Sequence, residues 1–129
     1  DFVFGNELEA QEFSKVMGYE TDDVATIAEK LSLYEKVNDK RQRVVVFTQG
    51  ADPVVIAVNG KSHLVEVPKV PADLIKDTNG AGDSFVGGFL AALVKGKDLD
   101  ESAKAGIYAS SVVIQHSGCV YPPLPDYQL

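Results

Sequence analysis

One cysteine stands in the whole sequence, Cys119, so no intrachain disulfide and no cysteine metal cluster is available. That usage fits a reducing compartment. Long apolar runs are missing too: none approaches the roughly 20 residues of a helical membrane span. The acidic first dozen residues do not resemble a secretory signal. Basic residues are scarce. Lys and Arg number 12 against 19 Asp and Glu, a formal charge of −7. This argues against nucleic acid as the main partner, because a phosphate backbone calls for a basic surface. A small anionic ligand stays open, since backbone N–H groups and a bound cation can hold one. Internal repeats and low-complexity segments are also lacking.

What is present is ordinary globular composition, 45% hydrophobic and 24% charged over 129 residues, one domain's worth of chain. The opening "DFVFGN" has no starting methionine and reads as a piece of something longer, cut just before or within a strand. "FVFGN" predicts a short buried strand ending at Gly5. "NELEAQEFSKVMG" predicts a helix with Asn6 as N-cap, Glu9 three residues on and Gly18 at the stop. A second helix is expected in "TDDVATIAEKLSLYEKV", capped by Thr21, with acids in its first turn. Its apolar face would be Val24, Ile27, Ala28, Leu31 and Tyr34. "NDKRQR" reads as a solvated loop.

"RVVVFTQG" is the clearest strand, β-branched and stopped by Gly50, and suits burial on both faces of a parallel sheet. "PVVIAVNGKSHLVEV" reads as a hairpin about Asn59-Gly60. An irregular "PKVPADLIK" leads to an apolar helix from about Gly82 to Lys95 and a last helix from about Asp100 to His116. The proline-rich "YPPLPDY" tail cannot continue that helix. The order β-α-α-β-β-β-α-α predicts an α/β layer fold, helices on a largely parallel sheet.

"DTNGAGDSFVGGF", residues 77 to 89, is the most pointed stretch. It is not a P-loop, because no Gly-Lys-Ser/Thr follows, and Gly80, Gly82 and Gly87 do not have dinucleotide-fingerprint spacing. Two readings stand. It is a tight turn into a helix, with Asp83 an acid favoured by the helix dipole. Or the N–H groups of Gly80, Ala81, Gly82 and Asp83 converge on an anion, beside a carboxylate able to take a proton from a hydroxyl. Gly87, Gly88, Ala91 and Ala92 would give the helix a small-residue face for close packing. Asn6 and Glu9, N-x-x-E before an apolar helix, read as a capping box. Thr48 and Gly50 in "FTQGAD" are either a plain strand exit or a ligand site at a strand's C-terminal end. His63 and His116 read as surface or helix-end residues, and Cys119 as a packed thiol.

The D-T-x-G-A-G-D pattern resembles the C-terminal signature of the ribokinase-like (PfkB-type) small-molecule kinases. "FGNELEA", "RQRVVVFTQGAD" and "YASSVVIQHSGCVYPPLPDY" are similar to the eukaryotic adenosine kinase branch of that family, from the first residue nearly to the last. The resemblance implies a ribokinase-like α/β fold, a mostly parallel sheet flanked by helices, and ATP-dependent phosphorylation of the adenosine 5′-hydroxyl. It makes Asp83 the catalytic base and Gly80, Ala81 and Gly82 the anion hole for the γ-phosphoryl. It places Thr48 and Gly50 at the triphosphate, and the adenine of ATP between the "VPKVPADLI" loop and the last helix, around Ile107 and Ser111. Asn6 and Glu9 would position Mg²⁺, while Asp77 and Asn79 (Asn79 through its backbone) would bind a monovalent cation such as K⁺.

The same resemblance covers only the C-terminal part of such kinases, so residues 1–129 would be the ATP and catalytic-base portion. The N-terminal part, with most of the nucleoside pocket and a lid arginine, would be needed for turnover. The intact enzyme would be a monomer of the cytoplasm and also the nucleus, with neither nucleic acid nor membrane as partner. Two alternatives stay open: a related kinase of ribose, fructose or another nucleoside, and a nucleotide-binding module without catalysis.

Overall fold

The computed structural model describes residues 1–38, 40–78 and 80–115. The chain divides into two compact units, Asp1–Glu66 and Val67–Leu129. Asn79, His116, Cys119 and the "YPPLPDY" tail lie outside the described residues.

The first unit is a four-stranded sheet with two helices. Strand β1 (Phe2–Asn6) leads into helix α1 (Glu7–Met17), then α2 (Val24–Ser32), and strands β2 (Val44–Gln49), β3 (Asp52–Val58) and β4 (Lys61–Val65) follow. The strands lie in the order β1-β2-β3-β4. The sheet is mixed where a largely parallel one was predicted: β1 pairs parallel with β2, and both other pairings are antiparallel. Connection length decides this. A parallel pair needs a crossover, which α1 and α2 supply between β1 and β2. Two-residue turns allow only antiparallel neighbours, and they join β2 to β3 at Gly50-Ala51 and β3 to β4 at Asn59-Gly60. Asn59 and Gly60 both have positive φ, 53° and 78°, as the tight hairpin requires.

Val3, Val45, Phe47, Val55 and Ala57 line one sheet face and form the core with Ala10 and Phe13 of α1 and Val24, Ile27, Ala28 and Leu31 of α2. Val46, Val54 and Ile56 on the other face are buried as well, so β2 is covered on both sides, as its unbroken apolar run predicts. Helix α1 begins and ends as expected. Asn6 and Glu9 form the capping box, and Gly18 stops the helix at φ 69° with its N–H on the Lys15 carbonyl. Helix α2 starts later and ends sooner than predicted. Asp23, not Thr21, is its N-cap, because the Asp23 carboxylate takes the Thr26 N–H at 3.1 Å. The Thr21 hydroxyl accepts one turn earlier, from the Asp23 N–H. No acid stands in the first turn, and Tyr34 lies past the helix end, exposed. There the Arg43 guanidinium donates to the Leu31 and Tyr34 carbonyls at 3.0 and 2.6 Å and closes α2.

In the second unit a short 3-10 turn (Ala72–Leu74) precedes helices α3 (Ala81–Val94) and α4 (Leu99–Ile114). Phe85, Phe89 and Ala92 of α3 and Ala103, Ala105, Ile107 and Val113 of α4 are buried. The predicted small-residue face is narrower than four positions. A methyl added at Gly88 would sit 2.6 Å from the Ala105 carbonyl oxygen, and one added at Gly106 would sit 2.7 Å from that of Phe85. Gly88 and Ala92, one turn apart, therefore face inward, whereas Gly87 and Ala91 are exposed.

Candidate active site

At the C-terminal ends of the parallel pair, Asn6 of β1 stands in register with Thr48 of β2. This end of a parallel pair is where α/β sheets place ligands. The ring of Phe47 lies against Gly5, where a methyl would approach it to 3.1 Å, and so packs the base of this corner. Asn6 Oδ1 accepts from the Glu9 N–H at 2.8 Å, and Glu9 Oε1 accepts from the Asn6 N–H at 3.0 Å. The capping reading of this pair is real. Both side chains are nonetheless exposed, so a hard cation could reach the carboxylate through water.

Thr48 sits at an irregularity in the ladder, where the β2–β3 register shifts between Phe47 and Gln49. Bulges of this kind re-aim side chains at sheet ends. Its hydroxyl makes one long bond, 3.4 Å, to the Gly5 carbonyl. Gly50 follows at φ 62° with no heavy atom within 4 Å of a would-be methyl. Glycine is needed there for the turn, and it leaves the backbone open. Asn6, Glu9, Thr48 and Gly50 thus gather at one end of one sheet, as their sequence positions suggest.

The second unit carries the "DTNGAGD" turn. Its entry is tied to the end of α4, where the Ile114 carbonyl accepts from the Lys76 and Asp77 N–H groups at 2.7 and 3.2 Å. Ile114 closes α4, and a last-turn carbonyl has no partner within its own helix. Gly80 is the N-cap of α3 at φ 82°, a left-handed conformation that favours glycine. Helices α1, α2 and α4 each begin with a side chain, from Asn6, Asp23 and Asp98, accepting a first-turn N–H. Helix α3 has no side-chain cap. A helix start leaves its first N–H groups without backbone partners, and it attracts anions.

Of the three amides expected in an anion hole, that of Ala81 also closes a turn onto the Thr78 carbonyl at 3.3 Å. Gly82 and Asp83 are exposed. An added methyl at Gly82 would meet no heavy atom within 4 Å, so packing gives no reason for glycine there. Close approach of a ligand to bare backbone does give one.

The sequence profile of the pfkB family carbohydrate kinases matches residues 1–126. The chain belongs to this family. Adenosine kinase 1 of Arabidopsis thaliana is 55% identical over 127 residues, 98% of this chain and 37% of the relative. Anopheles gambiae adenosine kinase, solved in complex with P1,P4-di(adenosine-5) tetraphosphate, superposes with a TM-score of 0.87 at 42% identity, covering 92% of this chain and 36% of that one. The Schistosoma mansoni adenosine kinase solved with 2-fluoroadenosine gives 0.88 at 34% identity, over 94% and 36%. The chain thus spans a little over a third of the length of the curated relatives it matches.

The mixed sheet and helices seen here are therefore the ribokinase-like fold of the pfkB family. Ile107, predicted beside the adenine, is 7% exposed, so its side chain is core. Ser111 is half-buried, and its hydroxyl donates to the Tyr108 carbonyl at 2.7 Å. No three His, Cys, Asp or Glu residues converge as a metal cage among the described residues. Sequence reading passed over Ser84 and Gly106. A glycine inside a helix costs up to about 1 kcal/mol relative to alanine, and that was the available signal for Gly106.

Proposed function

We propose that the protein containing this chain phosphorylates the 5′-hydroxyl of adenosine with ATP, giving AMP. What carries the reading is the start of α3: three small residues, a left-handed Gly80, no side-chain cap and an exposed Asp83. The adenosine kinase relatives support the choice of nucleoside over sugar.

Asp83 accepts the proton of the attacking hydroxyl in this reading, which raises the nucleophilicity of the oxygen as it meets the γ-phosphorus. The Gly80–Gly82 turn supplies N–H donors to the phosphoryl oxygens, where charge gathers in the transition state. No nucleophilic side chain is called for, so transfer is a single in-line step: the bond from the 5′-oxygen to the γ-phosphorus forms as the bond to the β,γ-bridging oxygen breaks, and ADP leaves. Thr48 and Gly50 are assigned to the triphosphate, and Ser111 to the adenine side. Mg²⁺ would be held through water near Asn6 and Glu9, whose exposed oxygen donors suit it, and would neutralise phosphate charge. Asp77 and Asn79 are assigned to a monovalent cation such as K⁺. The working enzyme is a monomer that includes the two-thirds of the relatives' length this chain lacks.

Asp83→Asn in the full-length protein is the direct test. Adenosine-dependent ATP consumption should fall at least about a hundredfold, while Mg-ATP binding by isothermal titration stays within a few-fold. Parallel loss of nucleotide binding would favour Asp83 as a plain helix-start acid.

A further inference from the structure

We propose that Asn59-Gly60 is a guarded modification site: the turn carries the groups for deamidation of Asn59, and the buried hydroxyl of Ser32 holds the reaction off. The inference stands apart from the kinase reading. The hairpin tip adjoins Val58, which pairs with Val44 at the start of β2, whereas Thr48 lies toward the other end of that strand.

Deamidation needs an asparagine side chain and the backbone nitrogen of the residue after it. The Gly60 nitrogen gives its proton to solvent base and attacks Asn59 Cγ. The side-chain amide nitrogen leaves as ammonia, and a cyclic succinimide closes. Water then opens the ring at either carbonyl, giving aspartate or isoaspartate, with no oxidant or cofactor required. Asn59 is exposed, so water and base reach it. Glycine is the most favourable residue to follow it, because no Cβ crowds the closing ring. Isoaspartate would insert a methylene into the main chain of a two-residue turn, beside the Val58–Lys61 pair that begins the hairpin.

In the folded protein the attacking nitrogen is occupied. The Gly60 N–H donates to Ser32 Oγ at 2.9 Å. Ser32 is the last residue of α2 and is 8% exposed. Its own hydroxyl proton goes to the Glu29 carbonyl at 2.7 Å, so its oxygen meets Gly60 with a lone pair. Leu33 covers the same residue: a methyl on Gly60 would stand 2.9 Å from Leu33 Cδ1. An amide held in this way gives up its proton only on local opening, and ring closure needs that same opening. A second link ties β4 to α2 without touching the Gly60 amide, from Ser62 Oγ to Glu29 Oε2 at 2.6 Å.

The full-length parent, Ser32→Ala and Ser62→Ala should be incubated in mildly alkaline buffer, digested with trypsin and followed by mass spectrometry. Asn59 is the only asparagine in the tryptic peptide that ends at Lys61, and Asn79-Gly80, in the peptide that begins at Asp77, is an internal reference. Ser32→Ala should convert Asn59 about fivefold faster than the parent, the factor one hydrogen bond is worth. Ser62→Ala and the Asn79-Gly80 reference should stay near the parent's rates. The parent's rate in Ser32→Ala overturns the inference. So does equal acceleration in Ser62→Ala or at Asn79-Gly80, because general loosening is then the cause. If Ser32→Ala does not fold, the parent alone decides. In urea that unfolds it, Asn59 should convert at least about fivefold faster than in the native protein, and equal rates overturn the guard. Turnover is not read here, so the outcome is separate from that of Asp83→Asn.

Discussion

The glycines of this chain divide by what the fold asks of them. Gly80 and Gly50 have positive φ, and Gly88 and Gly106 touch backbone on the facing helix. Gly82 meets neither demand. Gly82→Ala should leave Tm unchanged or raise it, since alanine is favoured over glycine in a helix by up to about 1 kcal/mol. Turnover by the full-length protein should fall sharply, because the methyl would stand in the proposed path of the phosphate. Retained turnover would remove Gly82 from the anion site. Glu9 allows a similar separation. Glu9→Gln keeps an oxygen for the Asn6 N–H, so the capping box and Tm should survive, while loss of the charge should raise the Mg²⁺ concentration needed for half-maximal rate. An unchanged magnesium titration would leave Glu9 a cap and nothing more.

At the scale of elements, α3 and α4 make the sharpest stability contrast. Gly88→Ala forces a methyl within 2.6 Å of the Ala105 carbonyl oxygen, and overpacking of this kind costs about 1–3 kcal/mol. Gly87→Ala, one residue away and exposed, should instead be neutral or stabilising. Denaturant melts of the two variants check the pair, and equal effects would mean the helices do not cross at Gly88. Local devices were legible in the sequence: the Asn6–Glu9 box, the Gly18 stop and the Asn59-Gly60 hairpin each depend on residues within one turn. The α3 start was legible as a turn with an acid, and the D-T-x-G-A-G-D resemblance is what proposes it as a site. What escaped was set by distant partners. Sequence periodicity could not say that Gly88 rather than Gly87 meets α4, since both are small. It read Gly50 as a strand exit without showing that a two-residue turn would make β3 antiparallel. The burial of Ile107 was hidden for the same reason.

The whole molecule sets a limit that no single residue reveals. The chain covers 98% of itself but 37% of an Arabidopsis thaliana adenosine kinase to which it is 55% identical. Its own sheet has two edge strands among the described residues, β1 and β4. Unpaired strand edges invite association with other chains. Phe2 on β1 and Leu64 on β4 are exposed, as are Leu8, Val16, Val37 and Val94. The 129 residues alone hold the proposed base, anion turn and triphosphate contacts, and the resemblance places the nucleoside pocket elsewhere. A preparation of this chain alone should therefore convert no measurable adenosine to AMP and should self-associate as concentration rises, read by light scattering. Adding back the complementary N-terminal portion of a close relative, by fusion or co-expression, should restore both turnover and a monodisperse monomer. Turnover by the isolated chain at a rate comparable to the full-length enzyme would mean that these residues build a nucleoside site of their own.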